Sequence, residues 1–376
     1  MTPRVAVVVS QLGFGGAERQ TAELLAALRG RPDEPRLVIC LSADLEPYGP
    51  RLVELGYRLE VIPRGTSFDL ARLFRLRRLF RNERIDLVHA VHLLASGYAF
   101  LAAWPGRRPI VLPSVRGAEA GPGALRRLVY RRMFQACPRA LVNSSRGARF
   151  MHEILGAPAD RIAVIPNGVD FAALAAAARP DLLRSELGIP PAAPLVAYVG
   201  KDSRVKNVPR AVEVVRRARA AHRDLHAVFV GEGLDEEARG KLAPDLPPGP
   251  VRLLGPRPDV PSILAAADAL LLTSDSEGCP NVVIEALALG TPVVSADVGD
   301  VAEIVGGAGA GMVVPRGDVD AYVAALGRLF GDRSAARAAA RRELPRLEAR
   351  YGLAAMVEGT LALWRELLAG APTRTP

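Results

Sequence analysis

The chain has 376 residues, 49% of them hydrophobic, which is enough for two domains with separate buried cores. Three cysteines, Cys40, Cys137 and Cys279, are odd in number and widely spaced, which excludes a disulfide framework or cysteine zinc site and suits a reducing compartment. The net charge of +9 is uneven: residues 1–170 carry 25 arginines against 15 acids, while the remainder is close to neutral. A basic first half suits anionic partners, whether membrane headgroups, lipid-linked phosphates or nucleic acid.

The chain opens with an apolar run, Arg4 to Ser10, a turn Q-L-G-F-G-G, and a helical pattern from Ala17 to Arg29. The run is too short for a secretory signal, so the mature chain is expected to begin near Met1 and to stay in the cytoplasm. Gly13, Gly15 and Gly16 would let backbone N–H groups approach a phosphate, although a tight strand-to-helix turn needs glycine anyway. Further strands are expected at 37–41, 59–62, 87–90, 110–112, 140–142 and 162–165, spaced by helical or loop lengths. That alternation predicts a parallel sheet.

Asp69 to Arg84 predicts a helix with Leu70, Leu73, Phe74, Leu76, Leu79 and Phe80 mostly on one stripe and arginines elsewhere. Such a helix could lie on an anionic bilayer as a peripheral contact at the inner membrane face, or pack on its sheet as an ordinary surface helix. The weakly polar run from Leu87 to Trp104 contains His89, His92, Ser96 and Gly97, so a strand followed by a helix is expected rather than a membrane span. The histidines themselves read as core or loop residues, or as groups lining a cleft.

Punctuation at P-N-G-V-D, Pro166 to Asp170, followed by Ala-rich and Pro-rich stretches, marks a domain boundary. The pattern then restarts with strands at 195–199, 227–230, 251–254 and 311–314 and helices from Pro209 and Val260. Lys201, Arg204 and Lys206 follow the first of these strands in V-G-K-D-S-R-V-K-N. Only three lysines occur in the chain, and two lie here. The clustering is chance, or a wish for compact ammonium donors. Asp318-Val-Asp320 spells a D-x-D triplet, but Asp318 precedes an apolar helix and reads as its N-cap, so no metal is required.

The run from Ser274 to Gly290 reads S-D-S-E-G-C-P-N-V-V-I-E-A-L-A-L-G, after the apolar run Ala269 to Thr273 and before T-P-V-V-S. This predicts strand, polar turn, short helix, stop and strand, with Pro280 in the first helical turn and Gly290 at the end. A helix starting near Cys279 to Asn281 would point free backbone N–H groups and its positive dipole end into the turn, where an anion such as phosphate is favoured. Glu285, well inside the helix, suits a pair of neighbouring hydroxyls, as in a ribose. An ordinary αβ unit with a loop-capping Glu277 and a solvated Glu285 is the plain alternative.

This segment resembles the donor-site motif of the family-4 glycosyltransferases, retaining enzymes of the GT-B fold, in which two glutamates flank seven residues. The match takes in the E-G-x-P-N turn, the E-A-L-A-x-G helix and the P-V-V strand, and further matches run along nearly the whole chain. The resemblance implies an α/β chain of two Rossmann-like parallel-sheet domains facing across a cleft: residues 1–168 for the acceptor, 169–345 for the donor, and 346–376 as a C-terminal helix packing back on the first. It implies transfer of a sugar, without a cofactor or metal, from a nucleotide diphosphate-sugar, UDP- or GDP-linked, to a glycan, polyprenyl-linked or small-molecule acceptor in cell-envelope or exopolysaccharide synthesis. Glu277 would hold sugar hydroxyls, Glu285 the ribose, and Lys201 and Lys206 the diphosphate. Gly200, Arg204, Gly231, Leu254, Gly278, Cys279, Pro280, Asn281 and Val282 would line the donor.

Lys201 stands where the family usually has arginine, and Cys279 where it usually has an apolar residue, so Cys279 reads as packing. G-G-A-E puts Gly13, Gly15 and Gly16 at the transfer loop. The family's mid-domain histidine is absent; V-L-P-S-V-R-G puts Ser114 and Arg116 in its place, and Asn143 resembles a cleft-lining position. Three other classes compete with this reading. A non-catalytic sugar-nucleotide binder would share these contacts. A dehydrogenase lacks a clearly placed acid after its Gly-rich turn, and a nucleic-acid protein lacks a reader motif or interleaved aromatics.

Overall fold

The computed structural model describes residues 3–63, 69–104, 106, 109–116, 123–307 and 311–370, with backbone alone at 124 and 125. They fall into two compact units: unit 1 is Met1–Gly168 with Leu353–Pro376, and unit 2 is Val169–Gly352.

Unit 1 alternates strands and helices in the order β1 Val5–Val9, α1 Gly16–Leu28, β2 Leu37–Cys40, α2 Tyr48–Glu54, β3 Leu59–Val61, α3 Leu70–Asn82 and β4 Leu87–Val91. It continues with α4 Leu93–Ala103, β5 Ile110–Val115, α5 Ala124–Ala136, β6 Ala140–Val142, α6 Ser145–Glu153 and β7 Ile162–Val164. The seven strands form one parallel sheet in the order β3-β2-β1-β4-β5-β6-β7. β1, β2 and β4 are buried along their whole length, as strands covered on both faces must be. Helices α3 to α6 cover one face through Leu76, Phe80, Ala99, Phe134 and Met151.

In α3 the single stripe expected from the sequence divides. Leu76 and Phe80 go inward beside a buried Arg72, whose guanidinium lies 4.9 Å from the Tyr98 ring centre and donates to the Leu41 carbonyl at 3.0 Å. Leu70 and Phe74 are left outward. Arg72 takes an interior position because an aromatic face and a carbonyl meet its charge there.

Unit 2 contains α7 Phe171–Ala177, α8 Pro180–Glu186, β8 Leu195–Val199, α9 Val208–Ala221, β9 His226–Val230, α10 Arg239–Leu242, β10 Val251–Leu253 and α11 Val260–Ala266. After these come β11 Ala269–Leu272, α12 Asn281–Ala288, β12 Val293–Ala296, α13 Val301–Val305, β13 Gly311–Val314, α14 Val319–Gly331, α15 Arg333–Arg342 and α16 Leu344–Tyr351. Its six strands are again parallel, in the order β10-β9-β8-β11-β12-β13.

The last helix, α17 Leu353–Ala369, belongs to unit 1, where Met356, Leu361 and Trp364 pack with Leu24 and Leu28 of α1. Where the sequence placed the start of this segment at 346, the break falls at Gly352. Leu347 and Tyr351 of α16 are buried in the core of unit 2, and a side chain at Gly352 would meet the Glu348 carbonyl oxygen at 2.4 Å. The part of the expected segment beyond Gly370 lies outside the described residues.

Candidate functional site

In unit 2 the expected residues gather at the carboxyl ends of β8, β9 and β11, the edge where open parallel sheets hold ligands. After β8, Gly200 donates to the Val230 carbonyl at 2.9 Å and Asp202 to that of Glu232 at 2.8 Å. Gly231 has φ +144°, and a side chain there would stand 2.1 Å from the Gly200 oxygen, so only glycine fits. Its N–H reaches the Gly255 carbonyl at 2.9 Å, which brings the end of β10, with Leu254, alongside.

The turn after Gly200 ends in Asn207, a left-handed residue at φ 50° whose side chain caps α9 by accepting from Arg210 N–H at 3.3 Å. The Lys206 carbonyl accepts from the Tyr198 hydroxyl at 3.1 Å, and the Asn207 carbonyl from Thr273 at 3.1 Å. Asp275 ties this turn to the motif: it accepts from Asn207 at 2.9 Å and Arg210 at 2.7 Å, and its own N–H reaches the Val205 carbonyl. Burial pushes the Asp275 carboxyl up, but the hydrogen bonds from Arg210 and Asn207 outweigh it and leave the group below its usual range.

So braced, Lys206 places its ammonium 2.7 Å from Glu277 Oε1, joining two of the expected residues in one ion pair. Both are largely buried, the glutamate more so. Lys201 and Arg204, by contrast, are exposed. The chain's third lysine, Lys241, also comes to this turn, 3.4 Å from Asp202, an exposed pair worth little in itself.

The motif helix α12 starts at Asn281, and Pro280 sits one position earlier than expected, as the cap, with ψ 112°. Asn281 and Val282 form the first turn, and Gly290, at φ +73°, stands past the end. Glu285 is 3% exposed, an interior carboxylate and not a solvated one. Cys279 packs in the apolar core. The Gly278 carbonyl accepts from Asp300 N–H at 2.9 Å, and at Gly299 a side chain would come within 2.2 Å of that same oxygen. The turn after β12 therefore supports the E-G-C-P turn, a role the sequence did not mark. In the D-x-D triplet, Asp318 caps α14 by accepting from Ala321 N–H at 2.9 Å, and Asp320 pairs with Arg217.

Unit 1 collects a polar group at the matching edge of its own sheet. Gly13 is buried, Gly15 caps α1 and Gly16 begins it. A side chain at Gly15 would collide with the Glu18 carboxylate, which accepts from Gln11 at 3.0 Å. A carboxylate thus stands where phosphate was expected to approach. Ser114 lies within β5, and its hydroxyl donates to the Ala90 carbonyl at 2.9 Å, so its bond is spent within the sheet. Arg116 and Asn143 converge on Asn167 Oδ1 at 3.3 and 3.2 Å. Asn167 belongs to the P-N-G segment that the sequence marked only as a boundary.

The two histidines separate. His89 is buried in β4 with its ring edge-on to Trp364, centroids 5.8 Å apart, and burial, aided by Arg116, pushes its pKa down to about 3. His92 caps α4 at φ 75°, and burial and Arg116 lower its pKa against the opposing pull of Glu18. A left-handed histidine flanked by an acid and an arginine has the strain common at ligand sites.

Residues 14–173 match the family described as Glycosyltransferase Family 4, and residues 193–332 the family described as Glycosyl transferases group 1. A D-inositol 3-phosphate glycosyltransferase of Nocardia farcinica (strain IFM 10152) is 32% identical over 274 residues, 67% of this chain and 60% of that protein. A 2-deoxystreptamine N-acetyl-D-glucosaminyltransferase of Streptomyces fradiae is 33% identical over 217 residues, 55% of this chain and 51% of that one. The chain thus spans about 60% of the length of the first of these relatives and about half of the second. Anabaena HepE, solved in complex with UDP, is similar with a TM-score of 0.83 at 18% identity, covering 96% of this chain and 100% of that one. A glycosyltransferase from Rickettsia africae ESF-5 gives a TM-score of 0.84 at 16% identity, over 98% of this chain and 100% of its own. With two parallel-sheet units, the paired-glutamate motif and both family matches in place, the chain belongs to the family 4, group 1, glycosyltransferases of the GT-B fold.

Proposed function

We propose that the chain transfers a sugar from a nucleoside diphosphate-sugar to a hydroxyl acceptor, with retention at the anomeric carbon. The observation that carries this reading is the Lys206–Glu277 pair set beside the start of α12, the helix that holds the buried Glu285 about one turn further on. An ammonium and a helix N-terminus favour a diphosphate, and the adjoining carboxylate accepts from sugar hydroxyls. Glu285 then takes the ribose diol. Lys206, Lys201, Arg204 and the helix start offset the charge that grows on the leaving diphosphate, which these groups can do without an ion. The HepE structures, solved with UDP, with UDP and glucose, and with UDP-glucose, support a uridine-linked donor. For the acceptor we infer a glycan, a lipid-linked glycan or a small polyol, with Arg116, Asn143 and the Gly15 loop on its side.

Thermal-shift titration with UDP-, GDP-, ADP- and dTDP-sugars identifies the donor. Glu285→Ala is expected to weaken its binding about tenfold to a hundredfold, the worth of hydrogen bonds to a charged group, with the unliganded melting curve still cooperative. Unchanged donor affinity in that variant defeats the ribose assignment. A second reading, a non-catalytic sugar-nucleotide binder, draws on Ser114 being engaged with Ala90 where relatives of the family carry a histidine. It is separated by incubating donor with and without acceptors: transfer or slow donor hydrolysis supports the enzyme, and neither supports the binder.

A further inference from the structure

Helices α3, α4 and α5 lie side by side over one face of the unit 1 sheet. None of the three contains Asp or Glu, while α3 and α5 carry nine arginines, all of them exposed except Arg72. The acids flanking α3 are engaged: Asp69 caps it by accepting from Arg72 N–H, and Glu83 pairs with Arg58. Large apolar side chains stand outward among these arginines, with Phe74 70% and Trp104 58% exposed and Leu70 and Leu128 more than half exposed. Arg77 donates to the Trp104 carbonyl at 3.0 Å, so the Phe74 helix and the end of the Trp104 helix share one surface.

We propose that this face docks unit 1 on an anionic phospholipid bilayer. Eight guanidinium groups on two helices, none paired with an acid among the described residues, complement lipid phosphates, and Phe74, Trp104, Leu70 and Leu128 enter the headgroup boundary, where apolar area leaves water. The aliphatic pair decides against nucleic acid, since leucines offer bases nothing to stack on. The inference is independent of the sugar-transfer reading, for it uses no residue of that site.

Flotation of the full chain with phosphatidylcholine vesicles, with and without phosphatidylglycerol, tests it. Binding is expected with phosphatidylglycerol alone and should weaken as salt rises. Each arginine near the surface is worth about fivefold, so Arg75→Gln, Arg78→Gln and Arg81→Gln together should lower partition roughly a hundredfold. Phe74→Ser with Trp104→Ser should lower it about tenfold or more at constant charge. Arg216→Gln with Arg217→Gln in unit 2 should change nothing, and circular dichroism melting checks that every variant folds. The chain has two tryptophans, and Trp364 is buried, so a blue shift on vesicle binding reports Trp104. The proposal is overturned by absent binding, by equal binding to uncharged vesicles, by partition unchanged in the arginine variant, or by an oligonucleotide that binds more tightly than the vesicles at the same salt.

Discussion

Two histidines three residues apart have different fates because a strand turns its side chains to alternate faces and then ends. His89 faces the core and His92 falls on the junction with α4. For His89 the folded pKa of about 3 lies below its ordinary value of 6.5, so the unfolded chain binds a proton that the folded chain refuses. Stability from this group is therefore complete above pH 6.5 and is lost as pH falls towards 3, by an order of a few kcal/mol. Chemical denaturation across that range should show the loss, and His89→Phe should flatten it. Legibility at this scale followed sequence distance. Glu277, Glu285 and Lys206 could be singled out because each sits in a dense local motif. Arg210, Asp275 and Lys241 could not, because their meaning lies in partners dozens of residues away, as with Arg210 and Asp275. That β5 continues to Val115 and engages the Ser114 hydroxyl is not legible from a position after an apolar run.

Elements were read best where punctuation and period agreed. The strands at 140–142, 195–199 and 311–314 stand as the sequence placed them, because short apolar runs bounded by glycine or proline have one reading in a parallel sheet. The faces of α3 were not legible, since an arginine that finds an aromatic ring and a carbonyl can occupy an interior position the charge pattern reserves for leucine. Turns were legible as glycine but not as a contact. Gly231→Ala places a methyl group against the Gly200 carbonyl, a backbone atom that cannot swing aside, in a conformation alanine disfavours. A loss of about 2 kcal/mol or more is expected. Calorimetry should show a lower Tm, and sugar-nucleotide titration a weaker site, because the two strand ends would part.

At the scale of the whole molecule, the family match accounts for both sheets, and the chain path explains why a boundary at Gly168 is only half of one. Unit 1 is made of two stretches of sequence, and the second is a single helix. Trp364 is its anchor, 1% exposed against His89 and the α1 leucines. Trp364→Ala should cost about 3–5 kcal/mol. Since the cavity opens in unit 1 alone, the melting curve is expected to split, with one transition lowered and the other unmoved; a single transition that shifts as a whole would mean the units unfold together. Among the described residues no helix is long and apolar enough to cross a membrane.

The late arrival of α17 also orders events on the ribosome. Residues 169–352 are continuous in sequence, and their ends are held by the Val169 N–H bond to the Tyr351 carbonyl at 2.8 Å, so this unit can close as soon as it has emerged. The first 168 residues, although translated earlier, must wait through that whole interval with the Leu24 and Leu28 surface of α1 uncovered. The half of the protein made first is the half that finishes last, and its waiting surface is where a nascent-chain chaperone would have most to hold.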